Sequence, residues 1–117
     1  SRENEGILIR VANNHMTMAY GIQALEDRDP KAWPGFATEA DVASFPPTMV
    51  SVNECDPLRD EGIEFYRLLQ RAGVFAQCRQ AMGTVHANEI FGAFMPDIAR
   101  MTARDMAGWL AECLLAK

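Results

Sequence analysis

The chain has 117 residues and a formal net charge of −5, and its 11 lysines and arginines form no basic run. This length allows one domain at most, and the charge argues against a nucleic-acid or anionic-membrane surface. No apolar stretch approaches the roughly 18 residues of a membrane span, and the N-terminus lacks a signal pattern. Three cysteines without a C-x-x-C pair make no disulfide framework, so we expect reduced thiols in a cytoplasmic protein.

The first 47 residues predict little regular structure. We expect an extended or irregular entry over residues 1–13 and one helix over roughly 14–25, where apolar residues approximate helical spacing. A loop rich in proline and glycine follows. Within it, Thr38 and Asp41 form a capping-box pattern that predicts a short helical turn.

A strand and a helix are predicted next. TMVSVNEC, residues 48–55, follows a double proline and contains two valines, so it predicts a strand. Residues 59–72 predict a helix, because Ile63, Tyr66, Leu69 and Ala72 share one face and two acids occupy the first turn.

The same alternation continues to the end of the chain. Residues 74–82 predict a second strand, with Gly83 in the loop that follows it. The last helix is expected to begin at Thr102, with Asp105 completing a capping box. The order strand, helix, strand, helix predicts a parallel crossover in an open α/β sheet. Two strands alone are marginal in water, so the chain is expected to form one edge of something larger.

Asp56 and His86 are the candidate catalytic residues. Asp56 ends the first predicted strand, and His86 lies in a loop beyond the second. Parallel strands bring such loops to the same rim of the sheet, where ligands bind in α/β folds. A carboxylate at Nδ1 of a histidine fixes its tautomer and leaves Nε2 to accept a proton. Asp56 would therefore orient the His86 ring, and His86 would be the base.

Structural roles compete with this interpretation. Asp56 before Pro57 is also typical of a helix N-cap, and a lone histidine is more often a loop or core residue. Glu54 alternates with Asp56 and could share its side, but these acids with His86 lack closely paired ligands, so we discount a metal site. Weaker candidates, for which surface or core roles are the default, are His15, Trp33, Phe91, Phe94 and Met95.

The segments PPTMVSVNECDPLRDEGIEFYRLLQRAGV and GTVHANEIF resemble the C-terminal portion of the hormone-sensitive-lipase family of α/β-hydrolases. The resemblance implies that Asp56 is the acid and His86 the base of a serine esterase triad that needs no cofactor. It also implies that residues 1–47 follow strand six and contribute to the cap. Residues 48–117 would be the last two parallel edge strands of the core with their flanking helices.

The sequence departs from the family in two ways. Ala87 stands where the family usually has glycine after the histidine. The G-x-S-x-G nucleophile elbow and the H-G-G-G-type oxyanion loop are absent from these residues. We therefore expect the serine on an N-terminal portion of the same hydrolase, small or medium esters as substrates, and no activity from this chain alone.

Two other functional classes fit the same residues. A truncated hydrolase remnant would act as a non-catalytic binding module through its exposed strand edge, which also makes a homo-oligomer possible. An independently folded domain would use Asp56 as a cap and His86 for packing. A companion chain with the serine elbow would separate an enzyme from both alternatives.

Overall fold

The structure is a computed structural model that describes residues 2–4, 6–7, 21–89 and 92–116. Its helices are α1 (Ile22–Glu26), α2 (Glu39–Val42), α3 (Arg59–Arg71) and α4 (Pro96–Leu115), its strands are β1 (Thr48–Cys55) and β2 (Ala76–Val85), and single 3₁₀ turns span Arg2–Asn4 and Pro34–Phe36. The predicted order of strand, helix, strand and helix is confirmed. Helix α1 covers only the end of the predicted helix over 14–25, and residues 8–20 lie outside the described part.

The two strands pair in parallel, as predicted. The register runs from Thr48 opposite Ala76 to Asn53 opposite Ala81, and then shifts so that Cys55 pairs with Val85. Strand β2 therefore carries two extra residues at a bulge, and the prediction that Gly83 lies in a loop after the strand is wrong. Gly83 has a φ of 71° inside β2. A bulge and a turn both favour a residue that tolerates positive φ, so the glycine signal alone did not distinguish them.

Helix α3 supplies two of the four buried side chains in the apolar core of the described residues. Leu69 is fully buried and packs with Val42, Leu68 and Val74. The predicted capping box is present before α2, where the Asp41 carboxylate accepts hydrogen bonds from the Thr38 amide (2.8 Å) and hydroxyl (2.7 Å). These bonds lower the pKa of Asp41. The capping box fixes the start of α2, the short helix whose last residue, Val42, packs in the core.

Helix α4 begins at Pro96, six residues before the predicted start at Thr102. Proline at the first helical position is a start signal, because its missing N–H would have no partner there. Thr102 is instead buried inside the helix and accepts a hydrogen bond from Arg79 Nη2 at 3.2 Å. The Asp105 carboxylate pairs with the same guanidinium. The residues that resembled a capping box thus connect α4 to β2.

Part of the apolar face of α4 remains exposed. Met106, Leu110 and Leu114 lie on the solvent-accessible side, whereas Trp109 stacks on Phe75 with ring centroids 5.2 Å apart. None of the helices in the described ranges combines the length and apolar character that a bilayer span requires.

Gly62 and Gly108 give a matched test of the packing between α3 and β1. A Cβ at Gly62 would lie 2.7 Å from Val52 Cγ1, whereas a Cβ at Gly108 would meet nothing within 4 Å. Alanine improves helix propensity by about 1 kcal/mol at either site, but overpacking costs ~1–3 kcal/mol. We expect Gly62→Ala to lower the free energy of unfolding and Gly108→Ala to raise it, as measured by urea denaturation. Equal stabilisation at both sites would contradict this close packing.

Candidate active site

Asp56 lies directly after β1 and is held by two hydrogen bonds of its carboxylate. Its side chain is 10% exposed. Oδ1 accepts the backbone N–H of Leu58 at 2.8 Å, and Oδ2 lies 2.8 Å from Nδ1 of His86. Helix α3 begins at Arg59 with Leu58 as its N-cap residue, so Asp56 is not the N-cap that the alternative interpretation expected. The carboxylate both shapes the entry to α3 and contacts the histidine.

His86 follows the last residue of β2, and its side chain is 37% exposed. A carboxylate beside Nδ1 favours the tautomer with the proton on that nitrogen, which leaves Nε2 as the acceptor. The half-exposed ring can therefore offer a basic nitrogen to a group outside the described chain. This arrangement suits general-base chemistry.

The bulge in β2 sets the alignment of these two residues. Asn53 pairs with Ala81, and without a shift Asp56 would follow in register with Thr84. The two extra residues make Cys55 the partner of Val85, so that the next residues along the strands are Asp56 and His86. Glu54 anchors the bulge, because its Oε2 accepts the N–H of Gly83 at 2.6 Å. Glu54 thus bonds to the strand backbone.

A buried polar network lies beneath the His86 loop and was not predicted from the sequence. Thr84 is fully buried, and its hydroxyl lies 2.6 Å from both Asn53 Oδ1 and the Ala81 carbonyl. Asn88 is also buried, and its Oδ1 accepts the Val85 N–H at 3.2 Å. A polar residue at an inward strand position, such as Asn53 after Val52, is the sequence signal that would have indicated this network.

A cavity of about 530 Å³ opens beside the pair. Its walls include Asp56, His86 and Asn53 at the end of the sheet, with Ala103 and Met106 contributed by α4. One wall therefore carries Asp56 and His86, and the wall formed by α4 is mostly apolar. Such a division is typical of sites that bind small organic molecules.

Charged side chains surround the entry to α3. The Arg59 guanidinium contacts Glu3 at 2.7 Å and Asp60 at 2.9 Å, and these hydrogen bonds raise the pKa of Arg59. The bond from Arg59 also lowers the pKa of Asp60. The charged side chains of Arg59 and Asp60 in the first turn of α3 are therefore held in ion pairs.

Among the weaker sequence candidates, Trp33, Phe94 and Met95 lie in the described residues. Phe94 and Met95 are exposed, so the expected core packing is not seen for them, and Trp33 is half-buried in its loop. His15 and Phe91 lie outside the described residues. Within the ranges that the structure describes, no group of three or more His, Cys, Asp or Glu side chains has the geometry to hold a metal ion.

A family model described as the α/β-hydrolase fold matches residues 1–89. This chain belongs to that α/β-hydrolase family. It is similar to esterase Est22, with 63% identity over 92% of this chain and a TM-score of 0.89. It is also similar to brefeldin A esterase, a bacterial homologue of human hormone-sensitive lipase, with 42% identity over 98% of this chain and a TM-score of 0.86. The expected relation to the hormone-sensitive-lipase family is confirmed, as is the fold class.

The relatives are much longer than this α/β-hydrolase chain. It covers 32% of each of those two esterase chains. Carboxylesterase NlhH of Mycobacterium tuberculosis is 35% identical over 58% of this chain, and the match covers 21% of that protein. The chain therefore corresponds to a part of an α/β hydrolase.

Ala87, at the position where the family resemblance leads us to expect glycine, has a backbone conformation that suits glycine. Its φ is 59°, in the left-handed region where a Cβ is unfavourable by roughly 1–2 kcal/mol. The loop keeps the backbone conformation that suits glycine although the side chain is a methyl group. Ala87 therefore strains the peptide that directly follows His86.

We expect Ala87→Gly to raise the free energy of unfolding by up to about 1 kcal/mol, since relief of strain exceeds the gain in unfolded-state freedom. Ala87→Val should lower it, because β-branched residues tolerate positive φ poorly. Ala107→Gly is the matched control in exposed, regular α4, where the same exchange should cost about 1 kcal/mol. Urea denaturation measures all three, and equal losses at Ala87→Gly and Ala107→Gly would contradict the strain.

Proposed function

We propose that this chain supplies the acid and the base of a Ser-His-Asp triad in a carboxylesterase. Asp56 is the acid and His86 is the base. The observation that carries the proposal is the 2.8 Å contact between Asp56 Oδ2 and His86 Nδ1, at the shared end of two parallel strands in an α/β hydrolase. The esterases among the similar proteins support the choice of reaction.

The proposed reaction proceeds in two halves. Nε2 of His86 takes the proton of the serine hydroxyl while its oxygen bonds to the ester carbonyl carbon, and the imidazolium then protonates the departing alcohol. In the second half, His86 takes a proton from the water that attacks the acyl-enzyme, and the imidazolium then returns this proton to the departing serine oxygen, so that the carboxylic acid and the free serine are released. The carboxylate of Asp56 stabilises the imidazolium at both stages. This scheme requires no cofactor.

The serine and the oxyanion donors belong to a separate N-terminal portion of the same hydrolase in this proposal. The three serines of this chain, Ser1, Ser44 and Ser51, stand in no G-x-S-x-G sequence. Residues 1–47 would follow strand six and contribute to the cap, and residues 48–117 would complete the core. A cap that encloses the substrate pocket, as the family resemblance implies, favours small or medium esters. The unpaired thiols of Cys55, Cys78 and Cys113 favour a cytoplasmic location.

The first experiment combines intact-mass spectrometry of purified material, denatured and native, with a p-nitrophenyl ester assay of the same sample. Co-purification of a second polypeptide with hydrolysis would support the proposal. Hydrolysis of the ester by this chain alone would contradict the proposal that the nucleophilic serine lies outside it. An inactive 13 kDa species, alone or as a homo-oligomer, would favour the non-catalytic binding module.

His86→Ala should lower kcat of the complete hydrolase at least ~10⁴-fold, because the serine loses its base. The chain contains only one other histidine, His15, so His15→Ala is the matched control and should retain activity. Hydrolysis of a p-nitrophenyl ester measures both variants. Near-normal turnover by His86→Ala would rule out the assignment of the base.

Asp56→Asn separates the structural role of Asp56 from its proposed catalytic role. The amide oxygen can still accept the Leu58 N–H, while the amide nitrogen would face Nδ1 of His86 and favour the wrong tautomer. We expect circular dichroism to remain unchanged and kcat to fall by about 10³–10⁴-fold. Parental kcat with an intact fold would mean that Asp56 serves only the entry to α3.

A further inference from the structure

Asn4 connects the beginning of the chain to the backbone of residues 54–56, which we call the acid loop. Asn4 is buried, and its Nδ2 donates hydrogen bonds to the carbonyl oxygens of Glu54 (2.7 Å) and Asp56 (3.2 Å). These two carbonyls flank Cys55, the last residue of β1. One side-chain amide therefore holds both ends of the backbone segment from which the Asp56 side chain departs.

A cationic side chain, that of Arg59, also reaches this segment. Arg59 Nη1 donates to the Glu54 carbonyl at 3.0 Å, and its Nη2 pairs with Glu3 at 2.7 Å. Glu3 and Asn4 lie on the same 3₁₀ turn. We call Glu3, Asn4 and Arg59 the acid clamp, because together they bond this turn to the backbone on either side of Cys55.

The clamp acts where the sheet gives less support. The regular register between β1 and β2 ends at Asn53, and Cys55 is paired only after the shift of the bulge. The carboxylate of Asp56 is fixed by Leu58 and His86, but its distance to His86 depends on where the backbone places its Cα. A displacement of about 1 Å at a catalytic group can cost on the order of 10²-fold in rate.

We propose that Asn4 is a positioning residue that holds the acid loop in the place where Asp56 can hydrogen-bond to His86. This inference rests on the proposed esterase function. Asn4 acts through the backbone of residues 54–56 and touches neither substrate nor reacting atoms. The chain thus uses a residue about fifty positions before the acid to set the geometry of its catalytic pair.

The test uses the complete hydrolase with Asn4→Asp and Asn4→Ala. Asn4→Asp keeps the size of the side chain but replaces the donor by an oxygen that faces two carbonyls. We expect both variants to lower kcat by about 10- to 100-fold while KM stays within about twofold, because substrate binding does not involve the clamp. In the parent enzyme, the Nδ1 proton of His86 should give a low-field proton resonance, assigned by its loss in His86→Ala. The resonance should shift or broaden in both Asn4 variants.

Thr38→Ala is the control for general destabilisation, since it removes the hydroxyl of the capping box at α2 and leaves the acid loop untouched. It should lower the urea midpoint and leave kcat and the resonance at parental values. Parental kcat and resonance in Asn4→Asp would overturn the inference, because the donor would then be dispensable. An inactive parent enzyme, or an active His86→Ala, would instead overturn the proposed function itself.

Discussion

Parallel pairing of β1 with β2 is the constraint on which the candidate site depends. It places the carboxyl ends of both strands at one edge of the sheet, so that Asp56 and His86, thirty positions apart in sequence, lie close together directly after their strands. The bulge then corrects the alignment by two residues and brings Asp56 and His86 to equivalent points beyond the strands. Two hydrogen bonds hold this shifted register, one from the Gly83 N–H to Glu54 and one between Thr84 and Asn53. The hydrogen bond between Asp56 and His86 therefore depends on both the parallel pairing and the bulge.

The sequence was most informative where the signals are local. Residues 48–55 and the helix beginning at Arg59 were predicted almost to the residue, because β-branched content, an amphipathic face and acids in the first turn act within a few positions. The errors came from signals with two meanings. Gly83 marks a bulge rather than a turn, and Thr102 with Asp105 binds Arg79 rather than capping a helix. The contacts of Asn4 and Asn53 were missed because each depends on a partner more than thirty residues away.

The described residues also show why so small an α/β unit needs further support. A two-stranded sheet is marginal in water, and the buried apolar cluster centres on only four side chains, Val42, Leu68, Leu69 and Val74. Met106, Leu110 and Leu114 expose apolar surface along α4. Additional strands and helices of the proposed complete hydrolase would cover these surfaces. The polar contacts around Asp56 thus complement the small apolar core of the described residues.

The bulge in β2 also limits how this chain can vary. Side chains alternate between the two faces of a strand, so an insertion of two residues preserves which face each later side chain occupies, whereas an insertion of one reverses it. Unless the bulge between Ala81 and Val85 adjusts, loss or gain of a single residue there would turn His86 away from Asp56. A change of one residue in this segment therefore requires a compensating change in the bulge, whereas the loop between α2 and β1 can change length without affecting which face His86 occupies.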